Sequence, residues 1–218
     1  MTTITDPTPD PVEIDVWIDP VCPFCWATAR WLVDEVQPNR DVAITWQPIS
    51  LYFKNRPDPS STLHEPLFFT HRLLRVLESV RAAEGNRGVF ELYWEFGARI
   101  HHDADFDFEI EKALAEVGLD TSHAAAFDDE SWDAVIRAGM DEGLALVGDD
   151  VGTPIIAMDN ADGDRVGYFG PVISRVPSTA KSVKMWDALV AMMEVDSFFE
   201  LKRTRTESPD PGDRPAPR

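Results

Sequence analysis

Basic side chains are scarce in this sequence, which has 20 Lys and Arg against 39 Asp and Glu and a formal net charge of -19 at pH 7. Binding to nucleic acids or to anionic membranes draws on clusters of Lys and Arg, because these side chains neutralise phosphates and release counterions. We therefore expect neither a nucleic acid nor a membrane as a partner. The excess of acidic charge indicates a well-solvated surface.

Long apolar runs are also missing, and the first residues, MTTITDPTPDPVEID, contain no basic and apolar segments of the kind that direct secretion. We therefore expect a cytoplasmic protein. Cysteine is rare, since Cys22 and Cys25 are the only two. In the reducing cytosol such a pair is more often catalytic or metal-binding than a structural disulfide.

The patterns along the chain predict a β-α-β unit, then helices, then a β-hairpin and a last helix. VEIDVWI and DVAITWQPISL have strand character and flank the helical CWATARWLVDEV, whereas TPIIAM and RVGYFGPV flank the turn DNADGD. We predict an α/β domain formed by residues 12–57 and 149–203 and an all-helical insertion at 58–148. Residues 1–11 and 204–218, rich in Pro and polar residues, are expected to be flexible tails.

The segment CPFC lies where the first strand ends and the first helix begins. Pro23 suits the first helical position, and Cys25 lies one turn inside the helix from Cys22. Because free N–H groups and the macrodipole at a helix N-terminus stabilise an anion, we expect the pKa of Cys22 to fall below the free value of ~8.5. Cys22 would then be the attacking thiolate, and Cys25 the thiol that resolves the mixed disulfide.

Two other interpretations of the cysteine pair remain. A structural zinc site needs four ligands, and the only further candidates besides carboxylates are five scattered histidines, His64, His71, His101, His102 and His123. We therefore predict no metal. An inert pair of core cysteines is the other alternative, but the strand, proline turn and helix around the pair favour redox chemistry.

A second motif, VGTPIIAM, places Pro154 at the beginning of a predicted strand. An X-Pro bond is the usual position of a cis peptide, and a cis Thr153–Pro154 bond beside the cysteines would leave the Thr153 backbone free to pair with a substrate. An ordinary proline at a strand edge is the alternative.

The order of these elements resembles the DsbA-like branch of the thioredoxin fold, an α/β fold here with an inserted all-helical subdomain. DPVCPFCWATARW, DDVGTPII, FGPVISRVP, MWDAL and FFELKRTRTESP together resemble the mycothiol-dependent nitroreductases over about residues 14–208. The chain departs from many relatives in having Phe24 rather than Trp between the cysteines, a position that bears on the redox potential and on the aromatic wall of the pocket.

The resemblance implies a cytoplasmic thiol-disulfide oxidoreductase that takes electrons from mycothiol and passes them to disulfides or nitro-bearing small molecules. It implies no tightly bound cofactor, and no G-x-G-x-x-G motif for a nicotinamide or flavin follows a strand. Asn55 and His101 fall in segments that resemble the family's active-site surroundings and are candidate substrate-binding residues. A homodimer is left open.

Two other functions remain as alternatives. A DsbA-type protein dithiol oxidase or isomerase would belong mainly in an oxidising compartment, which the expected cytoplasmic location disfavours. A redox-inactive binding scaffold on the same fold is disfavoured by the intact cysteine pair.

The insertion begins after the second strand and ends just before VGTP, so both of its ends should lie near the cysteines. We predict that it forms a lid over them that admits small substrates and excludes folded proteins. The candidate wall residues are aromatic: Phe68, Phe69, Trp94 and Phe96.

Overall fold

The computed structural model describes residues 11–218, so residues 1–10 of the predicted N-terminal tail lie outside the described part of the chain. A five-residue π-helical segment lies at Leu32–Val36, and 3-10 segments of eight and three residues lie at Thr121–Asp128 and Glu130–Trp132. The main elements in chain order are β1 Val12–Ile18, α1 Pro23–Trp31, β2 Val42–Pro48, α2 Leu51–Asn55, α3 His64–His101, α4 Ile110–Glu116, α5 Asp133–Val147, β3 Ile155–Asp159, β4 Arg165–Phe169 and α6 Thr179–Met193.

The four strands form one mixed sheet in the order β2-β1-β3-β4. β1 and β2 are parallel and are connected through α1, whereas β3 pairs antiparallel with both β1 and β4. The predicted β-α-β unit and the predicted hairpin are therefore confirmed. This connection brings the end of β1, where the cysteines follow, next to the beginning of β3, where Pro154 lies.

Local sequence explains where α1 begins and how it is buried. Cys22 is the N-cap, with extended backbone angles (φ -81, ψ 110), and Pro23 occupies the first helical turn. Pro fits there because the N–H that it lacks would have no helical partner. The indoles of Trp26 and Trp31 are almost fully buried, so α1 is held inside the protein rather than on its surface.

Helices α3, α4 and α5 lie within residues 58–148, the stretch predicted as the insertion, and α2 precedes it. The bounds of the insertion stay a prediction. The long helix α3 is broken at Gly85, which has φ 70 and ψ -161. Only glycine adopts this conformation readily, because a Cβ would clash with the backbone.

The second half of α3 packs directly against α1 through Trp26. The Trp26 ring lies 5.0 Å from the Trp94 ring and 5.9 Å from the Tyr93 ring, measured between centroids. Gly97 faces the same indole so closely that a Cβ atom at this position would overlap it. The insertion and the α/β domain therefore share one hydrophobic core.

The C-terminal segment 204–218 contains no helix or strand, yet it lies against both parts of the protein. Arg175 pairs with Glu207 at 2.5 Å, and Arg214 pairs with Asp103 beyond the end of α3 at 2.9 Å. The flexibility expected for this segment stays a prediction. Its ion pairs are exposed, and exposed pairs add little to the stability of a protein.

Among residues 11–218, no helix is both long and apolar enough to span a membrane.

Candidate active site

Cys22 and Cys25 are both reduced and lie at the beginning of α1. The backbone N–H of Cys25 donates to Cys22 Sγ at 3.4 Å. Cys22 is 9% exposed and Cys25 is completely buried. Cys22 is therefore the more accessible sulfur, which favours it as the one that meets a substrate. In the part of the chain that the structure describes, no three His, Cys, Asp or Glu side chains form a group that would hold a metal ion.

Burial reverses the pKa expected for Cys22. Loss of solvent raises the pKa of the Cys22 thiol to about 12, and the nearby Cys25 contributes to the increase, whereas the N–H groups of Phe24 and Cys25 oppose it. Burial likewise raises the pKa of Cys25 to about 11. The prediction of a lowered pKa is therefore wrong for this closed, reduced state, because the desolvation of a thiolate outweighs its hydrogen bonds. In this state burial therefore favours the thiol form of Cys22.

The Thr153–Pro154 peptide bond is cis, and it lies against the cysteines. Cys22 Sγ donates to the carbonyl oxygen of Thr153 at 3.5 Å. The Thr153 hydroxyl lies 3.4 Å from Cys25 Sγ and 2.5 Å from the carbonyl oxygen of Trp17, at the end of β1. The structure thus brings the two predicted motifs together, although they are more than a hundred residues apart in sequence.

The two residues between the cysteines face outwards to different degrees. Pro23 is exposed and Phe24 is half-buried. The guanidinium of Arg205, from the C-terminal segment, lies 4.8 Å from the centroid of the Phe24 ring. A cation-π contact of this kind places positive charge beside the residue that precedes Cys25.

Of the two candidate substrate-binding residues, His101 lies beside the cysteines, against Pro20 and Trp26. Its Nε2 atom donates to the carbonyl oxygen of Pro20 at 2.8 Å, and its ring stacks on Trp26 with centroids 5.8 Å apart. Burial lowers its pKa to about 4, so the ring is neutral near pH 7. Asn55 is the exposed last residue of α2. A substrate-binding role of either residue stays a prediction.

Buried histidines predict how stability depends on pH. Burial lowers the pKa of both His71 and His101 to about 4, against about 6.5 in an unfolded chain. Between pH 6.5 and 4 the unfolded chain therefore binds protons that the folded protein does not, and each histidine should remove about 3 kcal/mol of stability over this range. Burial raises the pKa of Asp19 to about 6, so on acidification the folded protein binds this proton before the unfolded chain does. This should add back about 3 kcal/mol of stability over the same range. We expect a net loss of about 3 kcal/mol.

The measurement is the free energy of unfolding by urea at pH 7 and at pH 4.5. His101→Gln keeps an N–H donor for Pro20 and cannot be protonated, so it should flatten the pH dependence. Equal slopes in His101→Gln and the wild type would refute this assignment.

Asp19 is a residue of the site that the sequence interpretation missed. Its buried carboxylate accepts from the N–H of Val21 at 3.0 Å and from the N–H of Leu51 at 2.7 Å. It thereby joins the segment just before Cys22 to the beginning of α2. The sequence did contain a signal, because Asp19 directly follows an apolar strand and precedes Pro20. A carboxylate at the end of a buried strand needs hydrogen-bond donors inside the protein.

Tyr93 was also missed, although its neighbour Trp94 was a candidate. The Tyr93 hydroxyl donates to Cys25 Sγ at 3.8 Å. Trp94 and Phe96 are instead buried in the core. The two remaining candidates pack elsewhere, Phe68 near Tyr52 and Phe69 near Phe108 and Phe127.

A serine, a histidine and an aspartate form a hydrogen-bonded chain in which Ser50 and His71 are buried and Asp133 is partly exposed. Ser50 Oγ lies 3.1 Å from His71 Nδ1, and His71 Nε2 lies 3.1 Å from Asp133 Oδ1, which also pairs with Arg75. Ser50 is fully buried and caps α2 by accepting from the N–H of Phe53. A hydroxyl so enclosed and engaged is a structural group, and the chain fixes the end of β2 to α3 and α5.

Comparisons with known proteins agree with this geometry. The family model "Rv2466c-like: Mycothiol-dependent nitroreductase Rv2466c" matches residues 21–203. Among solved structures, the cytosolic disulfide reductase DsbM from Pseudomonas aeruginosa is 13% identical with a TM-score of 0.55 and covers 83% of this chain and 100% of its own. DsbA from the same organism is 15% identical with a TM-score of 0.50, covering 88% of each chain. The predicted α/β thioredoxin-like fold of DsbA type with a helical insertion is therefore confirmed.

Proposed function

Because the chain belongs to the Rv2466c-like family of mycothiol-dependent nitroreductases, we propose that it uses mycothiol to reduce small disulfides or nitro compounds in the cytoplasm. The family and the fold support thiol-disulfide oxidoreductase chemistry. The observation that carries the proposal is the dithiol itself, with Cys22 at the N-cap of α1 and both sulfurs within hydrogen-bond distance of Thr153.

In the reductive half-reaction, a mycothiol thiolate attacks Cys22 Sγ of the Cys22–Cys25 disulfide. The S–S bond breaks, its electron pair moves to Cys25 Sγ, and a mycothiol mixed disulfide forms on Cys22. A second mycothiol thiolate attacks the mycothiol sulfur, which releases mycothiol disulfide and the Cys22 thiolate. Two thiols are oxidised for each enzyme disulfide reduced.

In the second half-reaction, the reduced Cys22 attacks one sulfur of a substrate disulfide, and the other sulfur leaves as a thiol. Cys25 then attacks Cys22 Sγ, re-forms the internal disulfide and releases the second half of the substrate. A nitro group would accept the same two electrons with two protons, giving a nitroso compound and water. No nicotinamide or flavin enters either sequence.

Small substrates are favoured by the enclosure of the dithiol. Cys25 is completely buried, Cys22 is nearly so, and α3 of the insertion packs against α1 beside them. A structure of DsbM was solved with GSH, so a neighbour in fold binds a low-molecular-weight thiol. These observations support a small thiol as the electron donor and a substrate that can enter a narrow opening.

The residues between the cysteines predict a reducing potential. A stabilised reduced form makes a dithiol protein more oxidising, as in DsbA. Here Pro23 and Phe24 provide neither a charge nor an imidazole, and burial raises the pKa of both cysteines, so the reduced form lacks this stabilisation. We expect a potential of roughly -200 to -270 mV, the range of glutaredoxin and thioredoxin, rather than about -120 mV as in DsbA. A redox titration that gave a value above about -150 mV would contradict this, because the protein would then act as an oxidant.

Steady-state turnover tests the proposed function. Mycothiol is the electron donor, and three acceptors are compared: a small mixed disulfide of mycothiol, a nitroaromatic compound, and a folded protein with an exposed disulfide. We expect turnover of at least one small acceptor, and little or none of the folded protein. Equal or faster turnover of the folded protein would instead support a protein dithiol oxidoreductase.

A further inference from the structure

Tyr93 is the one tyrosine of α3, and it lies in the core beside the two cysteines. It is completely buried, and its ring lies 5.8 Å from that of Trp46 and 5.9 Å from that of Trp26, between centroids. Within residues 11–218, the hydroxyl has one hydrogen-bond partner, Cys25 Sγ at 3.8 Å. A buried hydroxyl without a partner is costly, so this contact accounts for its position.

Four groups lie near Cys25 Sγ: the carbonyl oxygen of Trp17, the backbone N–H of Asp19 and the hydroxyls of Thr153 and Tyr93. The carbonyl oxygen of Trp17 is an acceptor, towards which the Cys25 thiol points at 3.8 Å. The Thr153 hydroxyl has a single proton, and the carbonyl oxygen of Trp17 at 2.5 Å is its better acceptor. The Tyr93 hydroxyl has no such competing acceptor, so it donates to the sulfur alongside the N–H of Asp19.

We propose that Tyr93 is a catalytic residue of the dithiol reaction, whose hydroxyl stabilises the Cys25 thiolate by hydrogen bonding. The negative charge on Cys25 develops twice. It develops when a thiol attacks Cys22 Sγ and Cys25 leaves, and again when Cys25 loses its proton to resolve a mixed disulfide on Cys22. In both steps Tyr93 keeps its own proton, and burial supports this by raising its pKa well above the usual value.

This role makes the insertion part of the redox centre. Tyr93 comes from α3, whereas Cys25 comes from α1 and Thr153 from the loop before β3. A movement of α3 away from α1 would therefore withdraw the donor from Cys25. The inference rests on the thiol-disulfide chemistry of the proposed function but not on the identity of the reducing thiol, so it can be tested apart from mycothiol.

Tyr93→Phe tests the proposal because the phenyl ring fits the same space and lacks only the hydroxyl. The rate at which dithiothreitol reduces the Cys22–Cys25 disulfide should fall about threefold to tenfold, since a hydrogen bond to the leaving thiolate is lost. Alkylation of Cys22 in the reduced protein should keep its wild-type rate. Tyr168→Phe is the matched control, because its hydroxyl donates to the carbonyl oxygen of Phe198 away from the cysteines, and it should leave both rates unchanged.

A second readout separates catalysis from packing. In a Cys22→Ser background, the thiolate absorbance reports the pKa of Cys25 directly, and Tyr93→Phe should raise this pKa. An unchanged disulfide reduction rate and an unchanged Cys25 pKa would overturn the proposal. So would equal slowing of disulfide reduction and Cys22 alkylation with no shift in pKa, because that result would indicate a structural role. Failure of mycothiol as reductant, with these effects intact in dithiothreitol, would count against the proposed function alone.

Discussion

Replacement of Cys22 by Ser should reduce disulfide turnover to the uncatalysed background, whereas replacement of Cys25 by Ser should trap the enzyme as a mixed disulfide on Cys22. The reason is accessibility: Cys22 is 9% exposed and Cys25 is 0% exposed, so a substrate sulfur meets Cys22 first. Without Cys25 the mixed disulfide has no internal thiol to resolve it. Mass spectrometry of each variant after incubation with a small disulfide measures the result.

A double variant lacking both cysteines controls for chemical modification elsewhere and should gain no mass, because the sequence has no further cysteine. Ser is close in size to Cys at these buried positions, so unfolding midpoints near that of the wild type should accompany the loss of turnover. A mixed disulfide that forms on Cys25 in Cys22→Ser, and none on Cys22 in Cys25→Ser, would reverse the two roles.

Gly97→Ala should destabilise the protein more than the addition of a methyl group at any other glycine between the insertion and the α/β domain. A Cβ at Gly97 would overlap the indole of Trp26, which is 1% exposed and enclosed by Trp94 and Tyr93. The ring has no free space into which to turn, so α3 must move away from α1. We expect a loss of about 3 kcal/mol in the free energy of unfolding, the upper part of the range for overpacked cores.

Gly139→Ala is the matched control for this substitution. Gly139 lies within α5, and a Cβ there would have only the carbonyl oxygen of Pro48 nearby, at 3.9 Å. It should be neutral or stabilise by up to about 1 kcal/mol, because alanine favours a helix over glycine. Chemical denaturation of both variants decides the matter, and equal stability of Gly97→Ala and Gly139→Ala would refute the close packing of Trp26.

Gly97→Ala should also slow reduction of the disulfide beyond its effect on stability. Trp26 directly follows Cys25, and Tyr93 lies on the same part of α3 as Gly97, so a shift of this helix separates the Tyr93 hydroxyl from Cys25. The insertion would then affect the chemistry through its position, as the predicted lid requires.

Local sequence was sufficient for most of the fold. Alternating apolar residues identified β1, and the turn residues between β3 and β4 identified the hairpin. Each of these signals acts over a few residues. The contacts of segment 204–218 could not be predicted, because they depend on exposed side chains from distant elements such as Asp103.

The site was only partly predictable for the same reason. Spacing and the proline turn identified Cys22 and Cys25, and the T-P motif identified the loop that lies against them. The helical pattern of α3 placed aromatic residues near the site but did not show which one faces the sulfur, since Tyr93 and Trp94 are adjacent and both are buried. The pKa of Cys22 was predicted in the wrong direction because it depends on desolvation, which only the folded structure reveals.

The most direct test of the account is the reduction of the oxidised wild-type protein by mycothiol and, separately, by reduced thioredoxin. Quenched samples analysed by mass spectrometry should show, with mycothiol, a transient single adduct on Cys22 followed by the free dithiol and mycothiol disulfide. Reduction by thioredoxin should be slower, because Cys22 is nearly buried and Cys25 is completely so. Fast reduction by thioredoxin, with neither an adduct nor reduction by mycothiol, would contradict the proposed function.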